Sequence, residues 1–208
     1  PDLDRELERL EVQLRLNTSF SIELLTELVP DTVVFATGSL PDMPIIKGLI
    51  NTDMALYTVH EVLDGYAVTG DRIIVFGGGQ AGLVLADALA NQGKTVTVLH
   101  RKRHFAEEMS SNDRYYLRER LKKDNVNLFK WVVFETFLPS GVRFRVNDSV
   151  HNLEDFDTVV IAEIMTPVRE AANLMKGRDI DVHMIGDAKQ PRHLMFAIRE
   201  AEEIARIL

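Results

Sequence analysis

The sequence predicts an α/β fold of two Rossmann-like three-layer units, the first incomplete and the second carrying a β-meander. Three observations predict it. An apolar run, Ile73 to Phe76, meets Gly77, Gly79 and Gly82 in G-x-G-x-x-G spacing, passes into a helical pattern, and is followed by a second apolar run, Thr95 to Leu99. Phe134 to Leu138 and Val142 to Val146 flank Pro139, Ser140 and Gly141 as a hairpin, with Val150 to Leu153 as a third strand. Pro30 to Ala36 and Phe156 to Ala162 share an Asp-Thr-Val-Val core, so two similar strands point to two related units. The expected division is 1–55 plus 158–208 for the first unit and 56–157 for the second.

Taken in order, Leu3, Leu7 and Leu10 recur at helical spacing among charges, which predicts an amphipathic helix over 1–10. Val12, Leu14 and Leu16 alternate with Gln13 and Arg15 and read as a strand. Ser21 is placed to cap a helix running to Leu28, which Pro30 and Asp31 end. Thr32 to Phe35 is β-branched and aromatic, a strand. Pro41, Pro44 and Gly48 make 39–57 a loop, and a short helix follows from Thr58 to a stop at Gly65.

After the glycine loop, Leu83, Leu85, Ala86, Leu89 and Ala90 form the apolar face of a helix. Residues 111–123 form another, with Tyr116, Leu117 and Leu121 inward and Lys122 and Lys123 favourably near its C-terminus. Asn125 to Phe129 and Asp157 to Ala162 are strands, and a helix is expected around Arg169 to Lys176. Val182 to Ile185 is the last strand. A helix from about Pro191 follows, with Ala197, Ile198, Ala201, Ile204 and Ala205 on one face.

Composition excludes several functions. The 208 residues carry a net charge of −8, which argues against a nucleic-acid or anionic-membrane surface. No apolar run approaches the roughly 20 residues that cross a bilayer, and the acidic start is unlike a signal peptide. The cytoplasm is the default compartment. With no cysteine there is no disulfide, no CxxC redox pair and no cysteine-ligated iron–sulfur cluster within this stretch. None of the six histidines is nominated as a metal ligand or as a catalytic group.

The glycine loop carries the chemistry. Gly77 permits a tight turn, Gly79 lets backbone approach a pyrophosphate, and Gly82 lets helix and strand pack closely. The phosphates would rest on N–H groups of Gly78, Gly79, Gln80, Ala81 and Gly82, at the positive end of the helix. The alternative is a glycine-rich turn that only permits tight packing. About 20 residues further on, NAD-binding units place an acid on the ribose hydroxyls. Here the strand end holds His100, Arg101, Lys102 and Arg103 instead, and His100, Arg101 and Arg103 are candidate cofactor contacts. Arg101 and Arg103 suit a 2′-phosphate, which favours NADPH over NADH; the alternative is an ordinary solvated loop, or cations that meet phosphates in a different register.

Three motifs carry a resemblance: Ala36-Thr37-Gly38, the Gly77/Gly79/Gly82 loop, and Gly186-Asp187-Ala188 before the last helix. The chain resembles the FAD/NAD(P)-binding flavoproteins of the pyridine nucleotide–disulfide oxidoreductase class. The run from Gly186 to Arg192 is similar to the branch of 2,4-dienoyl-CoA reductase, trimethylamine dehydrogenase and NADH:flavin oxidoreductases. The resemblance implies the C-terminal part of a longer chain, whose N-terminal TIM barrel carries FMN, an iron–sulfur cluster and the active site. It implies FAD or ADP in the first unit, lined by Ala36 and Gly38, with Gly186 and Asp187 contacting pyrophosphate or ribityl hydroxyls. The expectation is a fragment cut within that unit, since no glycine-rich turn precedes residue 12. A capped turn at Gly186-Asp187 with no ligand is the alternative. The class often has Ala-x-Gly where this chain has Ala162-Glu163-Ile164.

Two functions follow. One is a segment that binds NAD(P)H and passes hydride to a flavin for reduction of an enoyl or dienoyl-type substrate, with no protein catalytic residue. The other is a non-catalytic ADP-binding module. Either is compatible with a homo-oligomer.

Overall fold

The computed structural model describes residues 2–163 and 165–208. In chain order these form α1 (Asp2–Arg9), α2 (Ile22–Leu28), β1 (Thr32–Phe35), β2 (Ser39–Pro41), β3 (Ala55–Thr58), α3 (Val59–Leu63), β4 (Arg72–Phe76) and α4 (Gln80–Asn91). Then come β5 (Thr95–Leu99), α5 (Ser111–Lys123), β6 (Asn127–Phe129), β7 (Val132–Leu138), β8 (Gly141–Val146), β9 (Ser149–Leu153) and β10 (Thr158–Ile161). The chain ends with β11 (Met165–Pro167), α6 (Glu170–Asn173), β12 (Asp181–Met184) and α7 (Leu194–Ala205). It divides into two units, 1–38 with 167–208, and 39–166.

The larger unit is built on a five-stranded sheet in the order β3-β10-β4-β5-β6, with every neighbouring pair parallel. Because successive side chains of a strand face opposite sides, Ile73 and Val75 pack with Leu83, Leu89, Leu117 and Leu121 of α4 and α5. Ile74 and Phe76 pack on the other side with Val132, Phe137, Val142 and Phe144 of the meander. The result is three layers: helices, parallel sheet, and the antiparallel β7-β8-β9 sheet. Burial on both faces explains the unbroken apolar runs in β4 and β10.

At the N-terminal end of the strands, Asp157 latches the chain entering β4. Its Oδ2 accepts from the Asp71 and Arg72 N–H groups at 2.9 Å each. Thr158 accepts from the Gly70 N–H, and Lys94 Nζ donates to the Thr69 and Gly70 carbonyls. Burial tends to raise the Asp157 carboxyl, and the Thr158 hydroxyl, these two N–H groups and Lys94 outweigh it, holding it below its ordinary value.

In the smaller unit β1 pairs with β12 in parallel. Leu25 of α2, Phe35 and Met175 form its core. Ser21 caps α2 by accepting from the Leu24 N–H, as its position predicts.

Several expectations need correction. Residues 12–16 form no strand: Val12, Leu14 and Leu16 are exposed, since alternation makes a strand only where another strand supplies hydrogen bonds. Ala55–Thr58, expected in a loop, is an edge strand paired with β10. Tyr116 is exposed, leaving Leu117 and Leu121 as the buried face of α5. The helix expected from Pro191 begins at Leu194, and Ile198 is exposed. The expected boundaries at 55/56 and 157/158 differ from the observed division, because β10 lies between β3 and β4 inside the larger unit.

At Gly82 the helix and the glycine loop meet closely: an added Cβ would stand 2.0 Å from the Gly77 carbonyl oxygen and 3.2 Å from Ala162 Cβ. Gly82→Ala is therefore expected to destabilise this unit by about 1–3 kcal/mol through overpacking. A urea titration followed by circular dichroism checks it.

Candidate functional site

In the larger unit, the strand order runs from β4 outward to β5 and β6 on one side and to β10 and β3 on the other. Such a reversal opens a crevice beyond the carboxyl ends of the central strands. The glycine loop lies there. Gly77 donates its N–H to the Leu99 carbonyl at 2.9 Å and takes φ of 120°, with Ala162 and Glu163 so close that a side chain on Gly77 would collide with both. The chain then turns into α4, capped by Gly79 with no side-chain partner.

The first intrahelical bond of α4 runs from the Leu83 N–H to the Gly79 carbonyl. The preceding N–H groups are thus left to external acceptors, and the helix dipole favours an anion there. One acceptor is supplied by the chain itself: the Gln80 N–H donates to the Glu108 carboxylate. The same carboxylate is the nearest neighbour of a Cβ built on Gly79, at 2.8 Å. A protein carboxylate therefore stands at the seat expected for a phosphate. Nothing in the local sequence signals Glu108, because the turn after β5 brings it back onto the loop.

That turn grips the loop at two further points. Gly78 donates its N–H to His100 Nδ1 at 3.0 Å, and its carbonyl accepts from the Ala106 N–H at 2.8 Å. His100 Nε2 lies 3.0 Å from the His104 carbonyl, and its ring stacks on Phe105. With Nδ1 accepting, the proton sits on Nε2 and is donated to His104. His100 is 3% exposed. It braces the loop, with both ring nitrogens used inside the chain.

Arg101 lays its guanidinium over Phe76 at 4.9 Å and Phe134 at 5.6 Å, and Arg103 lies over Trp131 at 5.6 Å. Stacking engages the face of the guanidinium and leaves N–H donors on its edge for a phosphate. A groove of about 670 Å³ runs beside α5 and β6, lined by Arg114, Tyr115, Arg118 and Lys122 among others, and shares no lining residue with the loop.

In the smaller unit, β1 and β12 bring the two remaining motifs together, with Phe35 aligned on Met184. Ala36 is exposed, and Gly38 has open space where a side chain would project. Gly186 differs from expectation. Its N–H is donated at 2.8 Å to the Glu200 carboxylate of α7 rather than left for a pyrophosphate. Asp187 Oδ1 accepts from the Arg192 N–H at 3.0 Å, so this stretch is held as a capped turn.

Glu200 is buried and also bonds Arg192, with Lys189 at 3.3 Å. Burial tends to raise its carboxyl; the Gly186 N–H, Arg192 and Lys189 outweigh burial and hold it below the ordinary value of 4.5. A lowered folded-state value stabilises above the ordinary one, and that stabilisation is lost as pH falls through the folded-state value. Glu200→Gln should therefore melt a few degrees lower than the parent at neutral pH. The gap should narrow as pH drops below 4.5, which thermal melts across an acidic series will show.

The model of the pyridine nucleotide-disulphide oxidoreductase family matches residues 6–198. An NADH oxidase of Thermoanaerobacter brockii is 29% identical over 207 residues, covering 98% of this chain and 32% of that protein. Among solved structures, 2-naphthoyl-CoA reductase in complex with 2-naphthoyl-CoA superposes with a TM-score of 0.79 at 28% identity, over 95% of this chain and 30% of that one. Histamine dehydrogenase from Rhizobium sp. 4-9 matches at 0.79 and 16% identity, over 98% and 35%, a likeness of fold. This chain spans about a third of the length of these proteins. The glycine loop at the sheet crevice, the three-layer unit around it and the family match agree: the chain belongs to the pyridine nucleotide-disulphide oxidoreductase family.

Proposed function

We propose that residues 39–166 bind NADPH, in preference to NADH, within a flavin-dependent NAD(P)H oxidoreductase. The observation that carries this is the N-terminus of α4 at the sheet crevice, where Gly77, Gly78 and Gly79 add no side chain and the Gln80 N–H already draws a carboxylate, that of Glu108. When bound, the dinucleotide supplies a hydride and a flavin takes it up. The chain's own residues bind and orient: Gly79, Gln80, Ala81 and Gly82 offer N–H groups, and the Arg101 and Arg103 edges offer paired donors for a 2′-phosphate. The pyrophosphate would take over the Gln80 N–H that Glu108 now holds.

The smaller unit would hold FAD or ADP beside Ala36 and Gly38, with Asp187 and the Gly186 turn shaping that edge. The reduced substrate would be of enoyl or dienoyl type, handled in a barrel domain outside these residues together with FMN and an iron–sulfur cluster. The name of the 2-naphthoyl-CoA reductase supports an unsaturated acyl compound. Among the described residues no helix is long and apolar enough to cross a membrane, and we place the protein in the cytoplasm, with a homo-oligomer compatible with this reading.

A second reading, a non-catalytic ADP-binding module, is favoured by one feature. In the sequence, Ile164, which lies outside the described residues, stands two places after Ala162 where the class often has the glycine of Ala-x-Gly. Mass spectrometry of ligands released on denaturation separates the two. Flavin or NADP(H) supports the oxidoreductase, and ADP alone supports the module.

For cofactor choice, Arg101→Glu with Arg103→Glu should weaken NADPH roughly tenfold or more, as loss of charge-assisted bonds of about 1.5–3 kcal/mol implies. NADH should change much less. Fluorescence titration with both nucleotides measures it, and equal losses would remove the 2′-phosphate assignment.

A further inference from the structure

Glu163 is the first residue after Ala162 at the carboxyl end of β10, on the opposite side of β4 from β5. Its Cβ lies against the first turn of the glycine loop: a Cβ on Gly77 would stand 2.8 Å from it. Its Oε2 is fully buried and has no hydrogen-bond partner among the described residues. A buried carboxylate oxygen without a donor is costly, and every other buried side-chain polar atom described here has a partner. The Glu163 carboxylate is thus short of one donor, beside the first turn of the glycine loop.

The strand order states where such a donor would come from. With a pyrophosphate at the start of α4 and the adenosine half over the end of β5, the second nucleoside half lies across β4, toward β10. That half carries ribose hydroxyls and, in a nicotinamide dinucleotide, the carboxamide N–H groups. Adenosine diphosphate carries none of these beyond its second phosphate. We propose that Glu163 is a specificity-determining residue, accepting a hydrogen bond from the nicotinamide riboside half and so selecting a complete dinucleotide over ADP. This rests on the reading of the glycine loop as a dinucleotide site. On it, Glu163 fills the free middle position of Ala-x-Gly with an acceptor for the ligand.

The test is titration of the 208-residue chain and its Glu163→Gln variant with NADPH, NADH, ADP-ribose and ADP, alongside thermal melts without ligand. The variant should bind NADPH and NADH about tenfold more weakly and ADP unchanged. It should melt no lower than the parent, since the substitution breaks no hydrogen bond at Oε2. ADP-ribose weakened in step identifies the ribose hydroxyls as the donors; ADP-ribose unchanged identifies the carboxamide. An unchanged affinity for NADPH and NADH, or an equal loss for ADP, overturns the role of Glu163 while leaving the loop as a nucleotide site. A parent chain that binds none of the four overturns the dinucleotide reading, and the role of Glu163 with it.

Discussion

The larger unit depends on one close approach, that of α4 to the turn leaving β4. Gly82 sits so near the Gly77 carbonyl that no side chain fits between them. The absence of a side chain lets α4 lie flat on the sheet, so Leu83, Leu85, Ala86 and Leu89 are all buried. It also fixes where the helix begins. The N–H groups of its first turn face the sheet crevice because the helix cannot be displaced outward. The packing of α4 and the direction its first turn faces are therefore set by the same close approach.

The loop is braced before any ligand arrives. His100, Ala106 and Glu108, all from the turn after β5, hold the Gly78 N–H, the Gly78 carbonyl and the Gln80 N–H respectively. The same turn carries Arg101 and Arg103 on their aromatic platforms. The groups that would read the adenosine end thus belong to the segment that positions the phosphate seat. A carboxylate at that seat shows that the geometry accepts an anion, and a pyrophosphate with its larger charge would compete for it.

Much of the larger unit was legible because its signals are local. The β4–α4–β5 run has a hydrophobic period that changes from strand to helix to strand, and Pro139, Ser140 and Gly141 mark the hairpin. What escaped was non-local. Ala55–Thr58 is a strand only by virtue of β10 beside it, and Val12 to Leu16 has the alternation without the partner. For His100, sequence shows its place at the strand end but not the use of its two nitrogens. Glu108, Glu163 and Glu200 are ordinary acids in the sequence; each gains meaning from a backbone segment distant along the chain. Gly186 was read as a ligand donor for the same reason, since the acceptor of its N–H lies 14 residues away on α7.

The central claim is that a dinucleotide's pyrophosphate rests on the first turn of α4. Hydrogen exchange of the backbone amides, followed with and without saturating NADPH, addresses it most directly. Protection should rise at Gly79, Gln80, Ala81 and Gly82, with the segment from Arg101 to Glu108 responding as Glu108 gives up the Gln80 N–H. Binding of NADPH with those amides unchanged, and protection appearing elsewhere, would contradict it.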